Sequence, residues 1–251
     1  MKTLGLVPYL NTLPLVYFLK GYDFIRAVPS KLCSLFHEGH LEAALLPVYE
    51  LFTKPTGLIV KDISISTHVE AGSVLLFLKR PIDSVKLVAI DQSSLSSKHL
   101  LKLLMMEYYA LDCQYEEHTP KYILQNTDSY DAYLLIGDEA IYHRTVNPLY
   151  LDLGTIWHDW TDYPFVFAVW VLREANSKLK GELLESKQMG LSKLPEIIDA
   201  TSFQDKDFLK KYFQFYLHFD LGDPEKKGLE LYQTKLYESK LIKDRLELKY
   251  F

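Results

Sequence analysis

Cysteine is nearly absent. Cys33 and Cys113 are the only two in 251 residues, and no CxxC occurs. A disulfide framework and a thiolate metal or redox motif are thereby excluded, leaving two reduced, buried thiols as the expectation. Long apolar runs are lacking too. The longest, FVFAVWVL, is strand-sized, well short of the ~18 residues a membrane helix needs. Arginine is scarce, with five residues in a chain of net charge −5 and no basic block. Nucleic acid is usually met by clustered Lys and Arg, so this composition argues against it. No Gly-, Pro- or Ser-rich linker, internal repeat or low-complexity tract is present. There is no G-x-S-x-G, P-loop or G-x-G-x-x-G.

What is present is apolar bulk. Hydrophobic residues make up 48% of the chain, enough for one large domain or two small ones. The start, MKTLGLVPYLNTLPLVYFLKG, superficially resembles an export signal. Its apolar run is broken by Pro8, Asn11 and Thr12, and no small-residue cleavage site follows. A strand over residues 3–7, a turn over 8–14 and a helix from about Leu15 fit better. A mature cytoplasmic protein is expected.

Strand-like and helix-like segments then alternate, which points to an α/β fold with a mostly parallel sheet. FIRAV, LEAALLPV, LIVKDISIS, SVLLFLK, KLVAID, AYLLIG and FVFAVWVL read as strands. PSKLCSLFHEG, KHLLKLLMMEYYA and DEAIYH read as helices, and the pattern after Arg173 is helical. TSFQ offers a capping box, and DPEKKG an Asp N-cap followed by Pro at the first helical position.

Two strand ends stand out. VAIDQSSLSSKHLLKLL ends a strand in four serines within five residues and then starts a helix. Hydroxyls and exposed N–H groups at a helix N-terminus bind anions without Lys or Arg. An ordinary capped loop is an equal reading. In LLIGDEA, Gly137 permits a turn and Asp138 is expected to cap the next helix. Open α/β sheets bind ligands beyond their carboxyl strand ends, so a ligand could sit at Gly137 and Asp138. HEGH at residues 37–40 resembles a metal pair but lacks a third ligand, and no metal is expected. In LDLGTIWHDWTDYPFVFAVW, Trp157 and its neighbours could wall a cleft for a flat ring, or simply pack between two lobes.

YLNTLPL, HEGHLEAALLP, SVLLF, IDQSSLSS, LLIGDEA and LDLG–W–T–PFVFAVW occur in this order. Together they resemble the MqnA family, the chorismate dehydratases of the futalosine route of menaquinone biosynthesis. The resemblance spans roughly residues 1–173. It implies a two-lobed, type II periplasmic-binding-protein-like α/β fold with an interlobe cleft. Residues 1–80 plus 166–251 would form one lobe and 81–165 the other, with crossings near Arg80 and Phe165. Two places depart from the family pattern: HVEAG stands where Gly-Pro-Val is usual, and Asp162 where the T-G-L-P-F motif has Gly.

The resemblance also implies an activity: loss of water from chorismate to give 3-[(1-carboxyvinyl)oxy]benzoate, with no metal or organic cofactor. Asn11 and Ser73 would be the catalytic pair, holding the enolpyruvyl carboxylate or the departing hydroxyl. Ser94, Ser96 and Ser97 would take a carboxylate, with Gly137 and Asp138 nearby. Trp157, Thr161 and Phe165 would form wall or hinge. The other readings are a 1,4-dihydroxy-6-naphthoate synthase of the same route and a non-catalytic small-carboxylate binder or sensor. A small molecule is the partner expected; neither nucleic acid nor membrane is, and no signal for an oligomeric state is found.

Overall fold

The computed structural model describes residues 3–54 and 57–251. In chain order, β1 (Thr3–Leu6) leads through a single 3-10 turn into α1 (Leu13–Val16), then β2 (Asp23–Arg26), α2 (Pro29–His37), β3 (Ala43–Pro47), α3 (Val48–Thr53) and β4 (Leu58–Thr67). The second block holds β5 (Val74–Leu78), β6 (Leu87–Asp91), α4 (Ser96–Leu103), β7 (Gln114–His118), α5 (Pro120–Gln125), β8 (Ala132–Ile136), α6 (Gly137–His143), β9 (Tyr150–Asp152) and α7 (Leu153–Thr161). The chain then returns as β10 (Phe165–Leu172) and ends in α8 (Ser177–Ser192), α9 (Leu194–Ala200), α10 (Lys206–Lys211) and α11 (Asp223–Glu238).

These strands make two five-stranded sheets, ordered β2-β1-β3-β10-β4 and β7-β6-β8-β5-β9. The central strands β3, β5 and β8 are buried along their whole length, which is why they read as unbroken apolar runs. The outer strand β7, QYEEH, is mostly exposed and acidic, a composition that discourages edge pairing. Its weak apolar signal hid it from the sequence reading, as did the shortness of β9.

The sheets are mixed rather than mostly parallel. β1 pairs parallel with β2 and β3, but β10 runs antiparallel to both β3 and β4. In the second sheet β5 is antiparallel to β8 and β9. The reason is topological: β5 and β10 are the strands by which the chain enters and leaves the second lobe. Sheet membership changes between Thr67 and Val74 and again between Asp152 and Phe165.

Helix starts correct three local readings. α1 begins at Leu13 with Pro14 in its first turn, and it lasts only four residues. Asp205, not Thr201, caps α10 by accepting from the Phe208 N–H. The cap of α11 is Gly222, whose N–H donates to the Glu225 carboxylate at 2.8 Å. LDLGTIWHDWT, read only as a prelude to a strand, is the helix α7. Both cysteines are free, Cys33 buried and Cys113 half-buried. No described helix is long and apolar enough to cross a membrane.

One apolar core runs through the join of the lobes, taking in Leu46 and Val169 of the first sheet and Leu76, Val88 and Leu134 of the second. The lobes are therefore packed shoulder to shoulder at the hinge, and the open side of the join is the cleft.

Candidate active site

β1 ends in the 3-10 turn Leu10–Thr12, which carries Asn11 to the cleft. The turn is held by its own neighbours: Thr12 Oγ1 donates to the Tyr9 carbonyl at 2.8 Å. Facing it are Ser73 just before β5, Ser94 and Ser97 at the start of α4, and Gly137 at the start of α6. The remaining wall is largely apolar, including Val7, Leu45, Ile65, Phe167 and Leu217, with no Lys or Arg among the lining residues. The cavity measures about 70 Å³, well short of the ~300 Å³ or more of an ordinary small-molecule pocket. The lobes are shut.

The polar groups in this cavity keep spare bonding capacity. Asn11 Oδ1 is buried with no hydrogen-bond partner among the described residues, which is costly unless a ligand supplies one. Ser73 Oγ accepts from the Tyr212 hydroxyl at 2.8 Å. That bond leaves the serine's own proton for the cleft. Burial pushes the Tyr212 hydroxyl far up, so it remains a donor. Ser94 Oγ likewise accepts, from the Lys98 N–H at 3.1 Å.

Ser96 is different, although it also lines the cavity. Its Oγ donates to the Phe167 carbonyl at 3.0 Å and faces the Tyr49 N–H at 3.3 Å. Its carbonyl accepts from the Tyr232 hydroxyl at 2.9 Å. All three partners belong to the first lobe, so Ser96 fastens the lobes together and its hydroxyl is already committed. Of the serine cluster, Ser94 and Ser97 are the ones that geometry leaves to a ligand.

The cleft mouth is closed by Tyr9. Its hydroxyl lies 3.3 Å from Ser93 Oγ, and burial pushes it up to about 12. Its ring rests on Gly137, where a Cβ would sit 3.0 Å from the ring and where φ is +60°. Only glycine meets both demands without strain. Asp138 does not cap α6, whose N-cap is Ile136 with no side-chain bond. Its Oδ1 instead reaches across the cleft to accept from the Leu10 N–H at 3.0 Å. Burial pushes this carboxyl up to about 6, against the lowering effect of that bond. Outside Tyr9 lies a second bay of about 560 Å³, edged by Asp91, Ser93, Thr119 and Glu139. Asp91 is buried, and burial raises it although Ser93 donates to it through both N–H (2.9 Å) and Oγ (2.6 Å).

The sequence matches the family described as menaquinone biosynthesis over residues 2–238. It is 31% identical over 258 aligned positions to the chorismate dehydratase of Thermus thermophilus, covering 93% of this chain and 94% of that one.

The chain belongs to the menaquinone biosynthesis family.

Chorismate dehydratase of Campylobacter jejuni is 25% identical, over 85% of this chain and 86% of its own. Among solved structures, the alkanesulfonate-binding protein SsuA of Xanthomonas axonopodis, bound to MOPS, superposes with a TM-score of 0.71. That match has 12% identity and covers 98% of this chain and 95% of the other, so it speaks to fold alone. The family member described here thus has a two-lobed periplasmic-binding-protein-like fold.

Three residues expected as wall or hinge belong to the hinge and not to the cavity lining. Trp157 is wholly buried, donates from Nε1 to the Pro164 carbonyl at 3.2 Å, and packs edge-on against Phe165 and Tyr232. Phe165 is core. Thr161 Oγ1 donates to the Trp157 carbonyl at 2.7 Å and faces the Tyr163 N–H, shaping the turn out of α7. Asp162, at the family's usual Gly, takes the left-handed conformation at φ +59° that ends the helix. The aromatic of this segment that lines the cavity is Phe167. Sequence reasoning missed it because period-two alternation along an all-apolar strand does not show which face meets the cleft.

Asp152 was also missed. Its carboxylate accepts from four N–H groups: Ala71 at 3.0 Å, Gly72 at 2.7 Å, Gly154 at 2.8 Å and Thr155 at 3.2 Å. It caps α7 and ties that cap to the loop crossing into the second lobe. The Asp of LDLG, two residues before Gly154, was the available signal, readable as a cap but not as a tie. The HEGH pair is not brought together as ligands. His37 Nε2 lies 2.7 Å from Glu50, and His40 Nε2 lies 3.4 Å from Glu38.

Proposed function

We propose that this protein is a chorismate dehydratase, a hydro-lyase that converts chorismate to 3-[(1-carboxyvinyl)oxy]benzoate. The observation that carries the reading is the unpartnered, buried Asn11 Oδ1 facing donor-ready serines in a shut, cation-free cavity. Family membership and the named activity of its relatives support it.

The reaction removes a proton from the ring carbon bearing the enolpyruvyl ether and hydroxide from its neighbour. Atoms balance without a redox partner, and aromatisation supplies the driving force. The enzyme's task is then orientation and charge placement. Asn11 suits that task because an amide both accepts and donates. Its oxygen accepts a hydrogen bond from the substrate hydroxyl and orients it, and its NH₂ donates to the enolpyruvyl carboxylate; the proton which that carboxylate takes from the ring carbon passes to the departing hydroxide, so that water leaves. Ser73, kept as a donor by Tyr212, supports the leaving oxygen. Ser94 and Ser97, with the N–H groups opening α4, receive the ring carboxylate.

An amide does not titrate usefully, so Asn11 is not the base. Asp138 has a raised carboxyl but spends an oxygen on the Leu10 N–H and does not line the cavity. The substrate's own enolpyruvyl carboxylate, positioned by Asn11, is the remaining base. A small dianion held by hydroxyls and amides is consistent with a cytoplasmic enzyme that needs neither nucleic acid nor membrane.

The test is incubation of purified protein with chorismate, read by mass spectrometry for a product lighter by one water, beside a no-enzyme control. Enzyme-dependent product that disappears with Asn11→Ala is the expected result. Protection from thermal unfolding by chorismate without any product would overturn catalysis in favour of a binder. Neither product nor protection would send the search to the substrate of 1,4-dihydroxy-6-naphthoate synthase.

A further inference from the structure

Away from the cleft, at the crossing between lobes, three side chains distant in sequence converge. His68 follows β4, His218 lies in the tail before α11, and Glu225 sits in the first turn of α11. His68 Nε2 is 3.0 Å and His218 Nδ1 3.3 Å from the same oxygen, Glu225 Oε1. One donor atom from each lies within 4.8 Å of the other two. From these contacts we propose that His68, His218 and Glu225 form a binding site for a borderline divalent transition ion of the Zn²⁺ class.

The donor set and its spacing are what such an ion takes. Zn²⁺ binds imidazole nitrogen and carboxylate oxygen at about 2.0–2.2 Å, so adjacent ligands of a tetrahedron lie about 3.3–3.5 Å apart. The two N···O separations of 3.0 and 3.3 Å need only a small expansion to reach that spacing. The outer contacts are also those of a ligand set. Metal-bound imidazoles commonly give their other nitrogen to a carboxylate, and ligating carboxylates are themselves hydrogen-bonded. His218 Nε2 lies 3.5 Å from Asp220 Oδ2. Glu225 Oε2 is occupied by the Gly222 N–H, which leaves Oε1 to the cluster. His218 Nδ1 is buried and makes no hydrogen bond. The His68 side chain is 54% exposed, so water can enter and fill the remaining coordination positions.

An ion here would staple the strand leaving the first lobe to the C-terminal tail. Ser66 and His218 already pair as an isolated antiparallel bridge, and Leu217, one residue back, lines the cleft. The site is therefore a structural fastening of the hinge, separate from the proposed dehydration.

The experiment is titration of untagged, chelator-stripped, full-length protein with Co²⁺ and Zn²⁺, followed by calorimetry and by the visible ligand-field bands of Co²⁺. The expected result is one Co²⁺ per chain, with bands typical of four- or five-coordination, displaced by one equivalent of Zn²⁺. His68→Gln, a change at an exposed side chain, should weaken binding at least tenfold, whereas His40→Gln should leave it unchanged. Asp220→Asn should weaken it less than His68→Gln. Absence of stoichiometric binding overturns the site. So does binding that His68→Gln leaves intact, or that His40→Gln weakens as much, because the ion would then sit on histidines elsewhere.

Discussion

Asn11 and Asp152 both place a buried side-chain oxygen at the join of the lobes. One oxygen has no partner, and the other carboxylate has four N–H donors. The difference separates the two sides of the same join. On the hinge side the bonding capacity of Trp157, Thr161 and Asp152 is spent on the fold. On the cleft side Asn11, Ser73 and Ser94 hold some back. Unspent capacity is a cost to the folded chain, and it is the feature by which a cavity can prefer a polar ligand.

The sharpest way to break the contrast is to truncate both residues. Asn11→Ala should lower turnover of chorismate by about 10²–10³-fold, the range for removing one well-placed polar group from a reaction centre. Its thermal midpoint should hold or rise, since the lost oxygen made no bond and was a cost to the fold. Asp152→Ala should do the reverse. It strands buried N–H groups of the crossing loop and of α7, at about 2–4 kcal/mol. Denaturant unfolding would show the loss. If Asn11→Ala instead unfolded the protein, or Asp152→Ala left stability intact, the division between cleft and hinge would be wrong.

Ser96 and Ser94 sharpen the same contrast within two residues of each other. Ser96→Ala removes a donor to Phe167 and an acceptor for Tyr49, so it should cost about 1–2 kcal/mol of stability. Ser94→Ala should raise KM for chorismate several-fold with a smaller stability change. Steady-state kinetics beside denaturant melts would distinguish them. Equal effects on KM would return Ser96 to the binding surface.

Gly137→Ala probes the mouth. The added methyl meets the Tyr9 ring at 3.0 Å and stands on a backbone at φ +60°. A cost of about 1–2 kcal/mol follows from the left-handed conformation alone. The ring must also move, so Tyr9 should lose its Ser93 contact and the shut state should be less populated. Crystal structures of the variant with and without ligand would show whether Tyr9 shifts. An unmoved ring would mean that the mouth is more yielding than its packing implies.

The buried strands were legible in the sequence because a run such as AALLP or AYLLI admits little else, and the Ser-rich turn announced a helix start. Asn11 was legible as a turn residue, and its place in the proposed catalytic pair came from the family resemblance. Ser94 and Ser96 could not be told apart, because what distinguishes them is which residue of the other lobe lies opposite. The same holds for Asp138, whose partner is 128 positions away. Trp157, Thr161 and Phe165 could be read only as wall or hinge, because the aromatic texture around them is shared by cores and pockets. His68, His218 and Glu225 gave no signal, since no spacing rule links residues brought together only by the crossing of the lobes.

The smallest expected effect concerns the latch from Asp138 to Leu10. In the shut form burial raises this carboxyl from its ordinary 3.8 to about 6. Opening the lobes returns it to water and toward its ordinary value. The shut form therefore holds the proton more tightly, and by linkage acid favours closure. The stabilisation of the shut form is fully present below about pH 4 and fades as pH rises through about 6. Glu139 beside it acts in the same direction, since its charge also raises Asp138. Small-angle scattering of the ligand-free protein should show a slightly smaller radius of gyration at pH 5 than at pH 7. Asp138→Asn, which keeps an oxygen for the Leu10 N–H but cannot ionise, should flatten that difference. A pH response that survives in Asp138→Asn would move the titrating group to Asp91, whose buried carboxyl edges the same mouth and is also raised.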